Sequence, residues 1–196
     1  VDFRLEVGAN RNNEANIRYN ELSSPELEEL VNTAFESDQF YFIKFTTDAY
    51  IPLSPTFSIV SEADLVYTSS ANTSLNSQFG LGGFYDNYIL TNSFWGAAFY
   101  QYSVDNFIKL GLGIQYQAGR NLYFRLHGNY ADGRYPVRWF NANSDRETNL
   151  FDGKPSLFGY GIGMAFNSIL GPLEFNMGTT ENTDRIRLGL NIGFIY

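Results

Sequence analysis

Hydrophobic and polar residues alternate along most of this chain. In its last twelve residues, RIRLGLNIGFIY, Ile186, Leu188, Leu190, Ile192, Phe194 and Tyr196 fall on one side, and Arg185, Arg187, Gly189, Asn191 and Gly193 on the other. Successive side chains of a β-strand point to opposite faces, so a period of two predicts a strand. The same alternation runs through 2–10, 40–51, 56–68, 107–117, 121–130, 155–167 and 171–179. In 107–117, Ile108, Leu110, Leu112, Ile114 and Tyr116 oppose Lys109, Gly111, Gly113, Gln115 and Gln117. In 155–167, Phe158, Tyr160, Ile162, Met164 and Phe166 oppose Gly159, Gly161, Gly163, Ala165 and Asn167.

The first face is aliphatic in mid-strand and aromatic towards the ends. The second carries charges, amides and glycine. That is the pattern of a lipid-facing band with aromatic girdles around a polar interior. A soluble sandwich also alternates, but its turns recur every 8–12 residues or so and its exposed face rarely holds so many glycines. Connections alternate in length as well. Gln117–Arg120 and Ser168–Gly171 are tight, whereas 131–154 is long and polar. In 23–35, Ser24 can cap and Pro25 fits the first helical position, with Leu27, Leu30 and Val31 at helical spacing, so a short loop helix is expected. The stretch 79–106 reads equally as one or two strands or as a long loop folded into the lumen. The expected fold is all-β: an antiparallel transmembrane β-barrel with about ten strands in this chain. Residues 1–196 are expected to form one outer-membrane barrel domain.

Aromatic residues make up 17% of the 196 residues, while mean hydropathy is only −0.23. Averages look soluble when lipid-facing and lumen-facing residues alternate, so this combination suits a membrane barrel. No stretch approaches the roughly 20 apolar residues of a spanning helix. The net charge of −8 argues against a nucleic-acid partner. Absence of cysteine fits an outer-envelope protein. The start at Val1, without Met or signal peptide, reads as a processed or cut start.

Candidate chemistry is sparse. There is no G-x-S-x-G elbow. Asp152-Gly153 reads as a turn. His127, the only imidazole, shares the polar face with Arg125 and Asn129 but has no serine at suitable spacing on that face, so it reads as a hydrogen-bonded lumen residue. One His without Cys argues against zinc. Asp132, Asp145, Glu147 and Asp152 lack the spacing of a calcium loop. No catalytic residue, metal or cofactor is therefore assigned. The polar face carries mixed charges: Arg4, Glu6, Lys44, Asp48, Glu62, Asp64, Lys109, Arg125, Glu174, Arg185 and Arg187. These read as structural ladders across the lumen, with ion passage or an internal plug as the other reading. Gly159, Gly161, Gly163, Gly189 and Gly193 are expected to leave the wall thin and bendable near the C-terminal strands.

The segment FGYGIGMAFNSILGPLEFNMGTT, followed by a polar loop and RIRLGLNIGFIY, resembles the last three strands of the Omp85 (BamA-like) superfamily. The resemblance makes Asn167, Ser168, Gly171 and Pro172 the periplasmic turn motif, without the family's first proline. It makes Ile192, Gly193, Phe194 and Tyr196 the C-terminal assembly signal. Phe79-Gly80-Leu81-Gly82-Gly83 looks like the opening of the family's sixth extracellular loop. The R-G-F/Y tip that follows in the family is absent, so the resemblance does not carry over the lock which that tip gives the loop inside the barrel. FGLGGFY, IKLGLGIQYQAGRNLYFRLHGNYAD and YGIGMAFNSILGPLEF together look most like the C-terminal barrel of patatin-like outer-membrane phospholipases of the Bacteroidota type. The resemblance rests on motifs over 79–196 and on strand pattern alone over 1–78. It implies that this chain is the C-terminal part of a barrel of about 16 strands. It also implies a bacterial outer-membrane location, with patatin and POTRA-like domains upstream. The bilayer and the outer-membrane assembly machinery are the implied partners. The implied function is a non-enzymatic barrel that anchors, and exports or displays, a phospholipase domain. The alternatives are an Omp85-type insertion or translocation barrel and a small self-contained pore.

Overall fold

The computed structural model describes residues 2–11, 39–68, 79–85, 91–104, 106–133, 151, 154–169 and 171–193. The helix expected over 23–35 and most of the loop 131–154 lie outside the described residues. Eight strands form one antiparallel sheet: β1 (Asp2–Arg11), β2 (Gln39–Pro52), β3 (Phe57–Thr68), β7 (Phe107–Gln117), β8 (Leu122–Asp132), β9 (Ser156–Ser168), β10 (Gly171–Thr180) and β11 (Arg187–Ile192). Each pairs with its neighbour in this order, so the sheet is a meander. Three short strands lie outside it: β4 (Phe79–Leu81), β5 (Thr91–Asn92) and β6 (Tyr102–Val104).

The short turns share one end of the sheet, because Phe57 pairs with Tyr116 and Leu122 with Phe166. At the β2–β3 turn, Ser54 Oγ accepts from the Thr56 and Phe57 amides, a local bond that competes with strand pairing and bends the chain. At the β9–β10 turn, Ser168 Oγ donates to Gly171 O at 2.7 Å, and Gly171 has φ +103°, a conformation that favours glycine. The longer connections leave from the opposite end.

Register separates the two faces. Ile51, Ile59, Ile114, Leu126, Ile162, Met177 and Leu188 stand side by side across seven strands, all on the outer face. One step towards the short turns, Phe57, Tyr116, Phe124, Met164 and Phe175 form the next outer row. Towards the other end come Tyr130 and Phe158, with Tyr160 beside them. The aliphatic band between two aromatic rows is thus present residue by residue. Leu112, Leu126 and Leu190 are each about 60–70% exposed on this face.

Between β3 and β7 the chain leaves the wall. β4 pairs parallel with β5 and antiparallel with β6, and this small sheet packs on the inner face of the large one. Of the readings open for 79–106, the described parts, 79–85 and 91–104, adopt the loop folded inward, with three short strands among the described residues. The main apolar core lies between insert and wall. Phe79, Leu81, Phe94 and Tyr102 of the insert meet Val66, Phe107, Ala131 and Leu157 of the wall, and Phe151 joins them. Burying each such aromatic or aliphatic side chain contributes about 1.5–3 kcal/mol. The insert is therefore seated by apolar packing on the wall, without an R-G-F/Y tip.

Candidate functional site

The inner face is notable for what its residues omit. Register brings Gly111 and Gly159 into one row, Gly113, Gly161 and Gly178 into the next, and Gly163 and Gly189 into a third. With no side chains, these positions form a trough, and the insert fills it. A β-carbon on Gly161 or Gly163 would lie 3.0 Å from the Trp95 ring, and one on Gly189 would lie 2.4 Å from the Phe84 ring. The approach is also backbone to backbone: a β-carbon on Gly96, whose φ is +94°, would fall 2.1 Å from Thr179 O. Wall glycines read as thinness are, at Gly159, Gly161, Gly163 and Gly189, the receptacle of the insert. A β-carbon on Gly193 would meet nothing of the insert within 4 Å.

Ring geometry fixes the seat. Trp95 stacks on His127 with centroids 4.9 Å apart and meets Phe84 edge-on at 5.4 Å. Polar bonds then pin the insert's backbone. The Trp95 amide donates to Asn129 Oδ1 at 3.0 Å. Lys109 Nζ donates to Ser93 O at 3.1 Å while pairing with Asp64 at 2.7 Å and standing 3.6 Å from Glu62. Lys109 and Asp64 are almost fully buried. Desolvation offsets much of such a pair's attraction, yet losing one partner strands the other, at a cost of about 3–5 kcal/mol. His127 Nε2 sits 4.0 Å from Glu62 Oε2, beyond hydrogen-bond reach. Nearer the short turns, Asn176 Nδ2 donates to the Tyr85 hydroxyl. Tyr85 belongs to the insert, not to a wall strand. Burial, and next the Glu174 carboxylate, push its hydroxyl above the ordinary tyrosine range, so it stays protonated and bonds to Glu174.

This arrangement is a wall plus an inward-folded segment, and it coincides with the reach of a family signature. A sequence model of the OMP85 superfamily matches residues 24–196. The chain belongs to the OMP85 superfamily. A solved structure of BamA from Haemophilus ducreyi lacking POTRA domains 1–3 superposes with a TM-score of 0.51 at 17% identity, over 77% of this chain and 34% of that one. At that identity the likeness is one of fold, and this chain spans about a third of that structure. No curated protein sequence matches the chain. The fold is thus part of an Omp85 β-barrel, and the family match points to the bacterial outer membrane.

Within this OMP85 barrel domain the residues singled out from sequence are distributed as follows. Lys109, Arg125, His127 and Glu174 share the inner face, and Lys109 and His127 touch the insert directly. Arg187 opens β11 half-buried on that face, whereas Arg185 precedes the strand and is exposed. Two bonds turn the chain there: Thr179 Oγ1 donates to Arg185 O, and the Arg185 amide donates to Thr183 Oγ1. Asn167 pairs with Pro172 across the turn closed by Ser168 and Gly171. Ile192 ends β11, and the Gly193 amide donates to Pro172 O at 2.9 Å. Phe194, Tyr196, Asp145, Glu147 and Asp152 lie outside the described residues. Asp132 is buried at the end of β8 and accepts from the Tyr130 hydroxyl. Among the described residues no three His, Cys, Asp or Glu converge to hold a metal. Residues missed from sequence are those of the insert, Phe84, Tyr85, Ser93 and Trp95; Asn129 was placed on the polar face, but its role in receiving the insert, like that of Asn176, was not read. The sequence shows only glycines alternating with lipid-facing residues and an aromatic-rich excursion; they form a receptacle and its filling once cross-strand register aligns the glycines.

Proposed function

We propose that this domain is the membrane-embedded anchor of a patatin-like phospholipase carried upstream on the same polypeptide, which it holds at, and helps display from, the outer membrane. The supporting observation is the seating of 79–85 and 91–104 on the inner face, which suits a plugged anchoring wall better than an open passive pore. The phospholipase itself is supported by the sequence likeness of FGLGGFY and YGIGMAFNSILGPLEF to patatin-linked barrels. In this reading the outer face meets lipid and the short turns face the periplasm. The chain contributes anchoring and no catalytic group.

An OMP85-type role in protein insertion or translocation is the second reading. It is favoured by β11, which pairs with β10 over six residues among the described ones and has glycine near its centre, which weakens that pairing.

An antibody raised to 131–154 and used on boiled outer membranes tests the first reading. The expected band is several times larger than 22.2 kDa, and the immunoprecipitate hydrolyses phospholipid. A band near 22.2 kDa, or a large one without lipase activity, overturns the anchor reading. General loss of outer-membrane proteins on depletion would move the assignment to the second.

A further inference from the structure

Beneath the insert, at the short-turn end of the inner face, lies a cleft of about 190 Å³. Its roof is aromatic, made by Phe84, Tyr85 and Trp95. Its floor carries Gln115, Tyr123, Arg125 and Glu174 from β7, β8 and β10. These four polar side chains retain hydrogen-bonding capacity. Arg125 gives one N–H to Gln115 Oε1 at 3.0 Å, out of five donors. The Gln115 amide N–H groups and the Tyr123 hydroxyl show no protein partner among the described residues. Glu174 bonds to Tyr85 and has further lone pairs.

Each wall of the cleft rejects a class of ligand. A simple anion would face Glu174, and a simple cation would face Arg125. A hydrocarbon chain would strand the floor's polar groups without partners. The volume is below the roughly 300 Å³ at which pockets for drug-sized ligands begin, so it suits one small ring. What fits is a neutral ring, rich in hydroxyls around its edge and apolar on its faces. We propose that the cleft is a saccharide-binding subsite that takes a single sugar ring, either free or as the end of a glycan. The C–H face of the ring packs under the Trp95 and Phe84 roof. Arg125 and Glu174 each bridge adjacent hydroxyls, one as a planar donor and the other as an acceptor. Tyr123 and Gln115 close the edge.

The test is ligand-observed NMR and calorimetry on the full protein in nanodiscs. The probes are glucose, N-acetylglucosamine, a soluble muropeptide disaccharide and lipid-free lipopolysaccharide core oligosaccharide, with glycylglycine as a zwitterionic control. At least one sugar is expected to bind saturably, with Kd on the order of 1 mM. Glu174→Gln and Arg125→Gln should each weaken it about tenfold. Tyr123→Phe, a milder change, should weaken it less, and Tyr50→Phe, which lies outside the cleft, not at all. Preference for the muropeptide or for the core oligosaccharide identifies the natural source. Absence of saturable sugar binding, undiminished binding in the Glu174 and Arg125 variants, or tighter binding of glycylglycine would each overturn the proposal. None of these outcomes depends on whether a phospholipase lies upstream.

Discussion

Trp95 is the side chain on which the insert turns. It contacts His127 through its ring, Asn129 through its amide, and the space over Gly161 and Gly163 through its edge. The glycines beneath it are required by closeness, since their own φ values are not in the left-handed region. Trp95→Ala should therefore cost about 3–5 kcal/mol, and the loss should fall on docking of the insert rather than on the wall. Hydrogen exchange resolves the two: amides of 79–85 and 91–104 lose protection while β8 and β9 keep theirs. Uniform loss across the wall would show that Trp95 supports the sheet and not the insert. Lys109 ties the same two layers by charge, holding Asp64 on the wall and the Ser93 carbonyl on the insert.

At the scale of strands, position along the strand decides what a substitution does. Leu126 stands in the aliphatic row between the aromatic rows, whereas Leu53 lies in the β2–β3 turn. Leu126→Arg should destabilise the barrel by about 2–4 kcal/mol and Leu53→Arg by only about 0–1, because the cost of a charge on the lipid face depends on depth. Urea titration of folding into lipid vesicles, followed by gel mobility, measures both, and equal effects would remove the membrane reading of the outer face. The strands themselves were legible from alternation alone. All eight segments that alternate correspond to strands of the large sheet, with ends shifted by a residue or two except at the C-terminus, where β11 closes at Ile192 and 194–196 lie outside the described residues. Alternation could not place 79–106, because β4, β5 and β6 are two or three residues long and too short to show a period. The charges of the inner face were legible as a set. The trough was not, because a glycine alternating with lipid-facing residues reads the same whether it faces empty space or, as Gly161 and Gly163 do, a tryptophan more than sixty residues away, and only cross-strand register lines the glycines up.

For the whole molecule, the question is how much of the lumen the insert occupies. It covers the inner face from Phe107 at one end to Glu174 near the short turns. In planar bilayers the intact protein should pass little current, and the Phe84→Ala/Trp95→Ala double variant should pass distinctly more. Equal conductance would mean that the insert lines the wall without obstructing it. The trough also imposes a chronology. Phe84 is synthesised about a hundred residues before Gly189, on which it comes to rest, and contacts of such sequence separation form slowly. The plug is made before its socket exists. Its aromatic rings must stay uncommitted until β9, β10 and β11 have been laid down, so docking is the closing event of assembly. Delayed completion of the last strands would leave those rings open to any hydrophobic surface in reach, making the unfinished barrel a natural client for a chaperone.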